Sequence, residues 1–199
     1  MLCPMCSPSH ALSLLLGERP PRADAERNLR ALLTATRDFV LAGNLNPSAA
    51  QIAAAAGVGV GTLYRRAVGK DALLAAAVID LLDDVCERAI DPLTCQSWDG
   101  FEHFAIDYLS VREVTCSITH ALEGEFDGSV ADAKRRTRAA FETLAERLHD
   151  ASLLVDEVDA ADLMVLLASI DITDDTLGLA PDGPRRVRVA RRMLASLHA

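Results

Sequence analysis

The residues of this chain best suited to chemistry lie in one run, Ile52-Ala53-Ala54-Ala55-Ala56-Gly57-Val58-Gly59-Val60-Gly61-Thr62-Leu63-Tyr64-Arg65-Arg66. A short helix ending in Ala-Gly passes through a turn into a second short helix that carries Thr62, Tyr64, Arg65 and Arg66. That order is the grammar of a helix-turn-helix, whose second helix can lie in the major groove of DNA. Leu63 is placed to face inward, which leaves Tyr64 between it and two arginines. Tyr64 is then either a phosphate contact or plain core packing, and Arg65 and Arg66 are either DNA contacts or solvated charges.

The net charge of −9 looks wrong for such a role, but it is unevenly spread. Residues 1–70 hold eight Lys/Arg and four Asp/Glu, a balance of +4, whereas residues 71–199 hold twelve and twenty-five, a balance of −13. The basic excess sits on the segment with the helix-turn-helix, where an attractive field draws in phosphate. Eighteen of the twenty basic residues are Arg, a composition typical of GC-rich bacterial coding.

Other chemistries find little support. No Gly-x-Ser-x-Gly, His-Glu-x-x-His or glycine-rich phosphate loop after a strand is present, so the chain is read as no enzyme. Five cysteines in a chain of cytosolic character argue against a disulfide framework. Cys86, Cys95 and Cys116 lack metal-ligand spacing. Cys3 and Cys6, with His10, suit zinc, copper or a redox pair. Zinc wants four ligands and there is no second Cys-x-x-Cys, so incidental cysteines in an N-terminal tail, with no metal or cofactor, is the preferred reading. No run approaches the roughly 18 to 20 apolar residues of a membrane span. Ala11–Leu16 is too short for a signal core and runs into Gly17-Glu18-Arg19-Pro20-Pro21, so the chain is read as cytoplasmic.

The elements that must position these residues are helices. Half the residues are hydrophobic and only 4% are aromatic, and Ala and Leu dominate, which favours an all-α fold. Residues 1–21 read as a flexible arm with a turn of helix at Ala11–Leu16. Leu29, Leu32, Leu33, Thr36, Phe39 and Val40 mark one face of a helix from about Ala23 to Leu41, ended by Gly43-Asn44. Ser48 or Asn46 caps the next helix, which runs to about Ala56. The reading helix covers about Val60–Ala67, and Gly69-Lys70-Asp71 restarts a long helix striped by Leu74, Ala77, Val78, Leu81 and Val85, stopped by Asp91-Pro92.

Beyond it, Phe101, Phe104, Ala105, Tyr108 and Leu109 mark one helix, and Val114–Leu122 reads as a separate short one. Val130, Ala133, Thr137, Phe141, Leu144 and Leu148 mark another. The segment 156–172 is apolar on every side and must be covered all round, as a subunit interface or a central core helix. A last helix begins near Asp182-Gly183-Pro184, striped by Val187, Ala190, Met193, Leu194 and Leu197. The expected total is about nine helices: a helix-turn-helix domain over 22–70 and a helical ligand-binding and dimerisation domain over 71–199.

The Ala-Gly-Val-Gly-Val-Gly-Thr-Leu-Tyr-Arg-Arg run, the Gly-Lys-Asp-Ala-Leu-Leu restart and the helical block behind them resemble the tetracycline-repressor (TetR) family of bacterial regulators, over roughly residues 25 to 78. The resemblance implies that Ser48 caps the second helix and touches a phosphate, and that Gly59, Val60 and Thr62 open the recognition helix. It implies groove or phosphate contacts for Thr62 and Arg65, and phosphate contacts for Tyr64 and Lys70. Hydroxyls and helix N-termini position phosphates, and Arg can read guanine bidentately. The chain departs from the family pattern at Ala67 and Val68, where a bulky aromatic usually stands, at Pro47, and in the uncharged Ala53–Ala56 run.

The resemblance also implies a homodimer through the last two helices on a palindromic double-stranded operator, acting mostly as a repressor, and an unidentified small-molecule effector. Its pocket would be lined by Trp98, Phe101, Phe104, Tyr108, His120 and Met164, unless these form an ordinary core stripe. Glu113, Glu123, Asp171 and Asp174 would favour a cationic effector if they point inward, and are otherwise a solvated face. Two alternatives remain: a helical dimer that works through a protein partner without operator binding, and a metal or redox sensor using Cys3 and Cys6.

Overall fold

The structure is a computed structural model that describes residues 10–16, 23–65, 69–122, 126–170, 177, 179 and 183–199, with backbone only at Arg65 and Asp127. It is all-helical. Among the described residues the helices are α1 (His10–Leu16), α2 (Ala23–Leu41), α3 (Ala49–Ala55), α4 (Val60–Arg65) and α5 (Lys70–Ala89). They continue with α6 (Trp98–Ala121), α7 (Asp127–Asp150), α8 (Ala160–Ile170) and α9 (Pro184–Leu194). Short 3-10 turns lie at Pro92–Cys95 and Ala195–Leu197.

The helix starts and stops follow from their end residues. α2 stops where Gly43 turns left-handed at φ +81°. The N–H of Gly43 then donates to Val40 O and that of Asn44 to Phe39 O, which satisfies carbonyls the last turn leaves open. The same arrangement ends α3 at Gly57, φ +66°, with Val58 N–H donating to Ala53 O. It recurs after α7 at Ser152, which takes φ +53° without being glycine. Asp91 caps the turn at Pro92, its side chain accepting from the Leu93 N–H at 2.9 Å.

The chain forms two compact units. Unit 1 lies within Met1–Asp83 and Val114–Ala133, and unit 2 within Asp84–Glu113 and Lys134–Ala199. Unit 1 therefore reaches past residue 70, and the long helices α5, α6 and α7 each begin in one unit and end in the other.

Unit 1 has an aliphatic interior of leucines, isoleucines, valines and closely spaced alanines. The turn of helix expected inside the N-terminal arm is α1, and it is part of this interior: Ala11, Leu12 and Leu15 are buried. Its His10 ring meets the Asp83 carboxylate of α5 at 3.0 Å. α2 is tied to α5 by Arg37 and Asp80 at 2.8 Å, both partly buried.

Unit 2 is built round rings. Phe104, Tyr108 and Phe141 pack with centroids 4.9–6.3 Å apart. Trp98 lies against Phe101 at 5.1 Å and against His198 at 4.5 Å. The C-terminal residues pair antiparallel with the segment after α7, through the Leu154–His198 bridge and Val155 N–H donating to Leu197 O.

Three sequence expectations are corrected here. Phe101–Leu109 and Val114–Ala121 lie in one helix, α6, so the nine helices among the described residues arise because α1 adds a helix where this merger removes one. On α9 the inward stripe is Arg186, Ala190 and Leu194, while Met193 is exposed. The carboxylate of Glu113 holds the buried Arg186 guanidinium at 3.4 Å, which explains how a charge fits there. Of the two alternatives for α8, the central core helix is the one corrected: Leu163, Leu167 and Ile170 are buried, but Val165 is 63% exposed.

Candidate DNA-binding site

The candidate site belongs to unit 1 and is set by two short helices. α3 is seven residues and α4 is six, too short to persist alone in water. α2 packs on α3, and α3 on α4. A capping box opens α3. The Ser48 hydroxyl accepts from the Gln51 N–H at 3.2 Å, and the Ser48 N–H donates to Gln51 Oε1 at 2.8 Å. This decides between the two cap candidates in favour of Ser48, and the Ser-x-x-Gln spacing that signals it stands in the sequence.

α4 is anchored by Leu63, which is 1% exposed, while Tyr64 beside it is 63% exposed. Core packing is thereby excluded for Tyr64. Gly59, Val60 and Gly61 are exposed on the same helix start and Thr62 is half-buried. The backbone of Arg65 closes α4, whereas Arg66, Ala67 and Val68 lie outside the described residues. Lys70 opens α5. Its ammonium donates to Asn46 Oδ1 at 2.5 Å and stands 3.9 Å from the Asp71 carboxylate. Ser48, the start of α4, Tyr64 and Lys70 thus all belong to unit 1 and keep polar or exposed groups at its surface. Asn46 was missed as a partner of Lys70, because a contact spanning 24 residues leaves no local signal.

The residues expected to line an effector pocket fall in unit 2, His120 excepted. Phe101, Phe104 and Tyr108 are buried in the ring core, and Trp98 is packed against it. His120, near the end of α6, is exposed. Met164 lines a cleft of about 200 Å³ with Arg138, Glu142, Asp159, Ala160 and Ala161. Of the acidic candidates, Glu113 is engaged by Arg186, and Glu123, Asp171 and Asp174 lie outside the described residues. Cys3 and Cys6 lie outside them too. Burial raises the Cys95 thiol above its usual range, opposed by the charge of Arg147 and assisted by that of Asp91. It is therefore a neutral thiol at neutral pH. Among the described residues no group of three or more His, Cys, Asp or Glu is arranged to hold a metal, and no helix is long and apolar enough to cross a membrane.

A two-helix turn of this kind, with an anchored second helix and a polar rim, has the form of the helix-turn-helix that DNA-binding proteins use. Residues 32–77 match the family model for bacterial regulatory proteins of the tetR family. Solved structures share the fold over nearly the whole chain. A TetR transcription regulatory protein from Mycobacterium vanbaalenii is 24% identical, covering 90% of this chain and 100% of that one, with a TM-score of 0.67. A TetR transcriptional regulator from Streptomyces coelicolor is 20% identical over 85% of this chain and 98% of that one, TM-score 0.65. Among curated proteins none matches. Residues 32–77 are thus similar to the N-terminal segment of tetR-family regulatory proteins, and the chain as a whole shares the fold of these solved structures.

Proposed function

We propose that this chain is a TetR-type DNA-binding transcriptional regulator, a ligand-responsive repressor that binds a palindromic operator as a homodimer in the cytoplasm. The observation that carries the reading is the pairing of a buried Leu63 with an exposed Tyr64 inside the family-matched segment. Leu63 anchors the helix and leaves Gly59, Val60, Thr62 and Tyr64 for DNA, with Arg65 and Arg66 added as contacts on their place in the sequence run. Ser48 and Lys70 supply flanking phosphate contacts. Each subunit places α4 in a major groove, with half-sites one helical turn or more apart.

Dimerisation through α8 and α9 is supported by apolar side chains that these helices leave open, Val165, Val189 and Met193. A small molecule bound in unit 2, against Trp98, Tyr108 and the Phe101–Phe104 floor, with Met164 as an outlying contact, favours a state that misfits DNA. Such coupling requires tighter effector binding to that state and is reciprocal.

The test is selection of bound sequences from a random duplex library at moderate salt. An enriched palindrome supports the reading and supplies the operator on which effectors are screened by release. No enrichment from a folded dimer sinks it and favours action through a protein partner.

A further inference from the structure

Lysine has donors only, so the Asn46 atom that meets Lys70 must be the amide oxygen. The contact is 2.5 Å and joins the α2–α3 turn to the first residue of α5. Asn46 is itself held. Its N–H donates to Asn44 Oδ1 at 3.3 Å, and the buried Pro47 that follows confines it to extended backbone. Because Ser48 does the capping, the Asn46 side chain is left for Lys70.

The chemistry of the partner matters. A neutral amide oxygen engages one ammonium N–H and leaves two others with the charge undiminished, whereas a carboxylate in its place would cancel that charge. The Asp71 carboxylate is farther off, at 3.9 Å, and more than half exposed. An unheld lysine must lose rotamer freedom when it meets a phosphate, and a held one has already lost part of it.

We infer that Asn46 is a positioning residue for a DNA-phosphate site: its Oδ1 holds the Lys70 ammonium in place for a phosphodiester oxygen of duplex DNA. This rests on the reading of Lys70 as a phosphate contact.

The experiment titrates a fluorescent mixed-sequence DNA duplex with the full chain at several salt concentrations. Mixed sequence suffices because phosphate contacts are sequence-independent. Wild type, Asn46→Ala, Asn46→Asp, Lys70→Ala and the Ala double variant are compared, with thermal midpoints measured alongside. Asn46→Ala is expected to weaken binding about three- to tenfold. Lys70→Ala lowers the salt slope by about one, and Asn46→Ala moves it part of the way, which a purely structural residue does not do. The double variant matches Lys70→Ala within about twofold, as coupled residues require. Asn46→Asp binds more weakly than Asn46→Ala, and it carries the test if the alanine variant unfolds.

Lys70→Ala weak but Asn46→Ala like wild type, or effects that multiply in the double variant, overturns the inference and leaves the reading intact. Wild-type binding by Lys70→Ala overturns the role of Lys70 and the inference with it. No duplex binding by wild type at low salt overturns both.

Discussion

Unit 1 and unit 2 solve the same problem, burying helices, with different side chains. Among the described residues every buried aromatic ring, Phe101, Phe104, Tyr108 and Phe141, lies in unit 2. Unit 1 buries no ring and uses alanines such as Ala35, Ala53, Ala75 and Ala76. Small side chains bring backbones close, which suits helices as short as α3 and α4 and sends the large polar groups outward. Rings fill volume and tolerate changes of shape around them only at a cost. The family match over residues 32–77 falls wholly in the small-residue unit. The part of the chain that matches the family model is thus the part built from small side chains.

The strongest way to break this contrast is Phe141→Ala. Phe141 is fully buried and touches both Phe104 and Tyr108, so about 3–5 kcal/mol of stability should be lost. A urea midpoint that barely moves would mean the rings do not form a packed core. Leu63→Ala should cost less, about 2–3 kcal/mol, because α4 is short and lies at the edge of its unit. Duplex affinity should fall further than global stability accounts for. Equal proportional losses in the two measurements would deny α4 its special place.

Ser48→Ala removes one arm of the capping box and should cost about 1 kcal/mol, measured by thermal unfolding. Ser48→Gly should recover most of it. The smallest stability effect belongs to Tyr64→Phe, within about 0.5 kcal/mol since the ring is exposed. Its duplex affinity should nonetheless drop about three- to tenfold through one lost hydrogen bond. Unchanged binding would return Tyr64 to ordinary surface.

Much of unit 1 was legible. Gly43, Gly57 and the Ser48–Gln51 spacing fix three helix ends through local backbone chemistry, and local chemistry is what a sequence displays. The stripe of α7 was readable for the same reason, since it keeps one inward face, whereas α5 is buried on every side over Ala72–Ile79. α6 was not legible as one helix. No glycine or proline interrupts it after Gly100, so the backbone continues, but it passes from unit 2 to unit 1 between Glu113 and Val114. After Leu109 the buried positions of α6 are only Thr115 and Ile118, so a gap and a polar residue interrupt the apolar stripe just as a helix end does. Arg186 was hidden because its burial depends on Glu113, far away in sequence. The effector contacts were the least legible, since Phe101 and Phe104 have the same pattern in a core as in a pocket wall.

The interleaving of the two units also bears on how the chain is made. Unit 1 needs residues up to Asp83 and then again Val114–Ala133, with a stretch of unit 2 between them. A ribosome adding about 5–20 residues each second finishes α4 several seconds before the last helical turns that complete its unit emerge. Unit 1 is therefore not a stretch of chain that is complete before unit 2 begins to be made. Its completion is timed by the synthesis of α7.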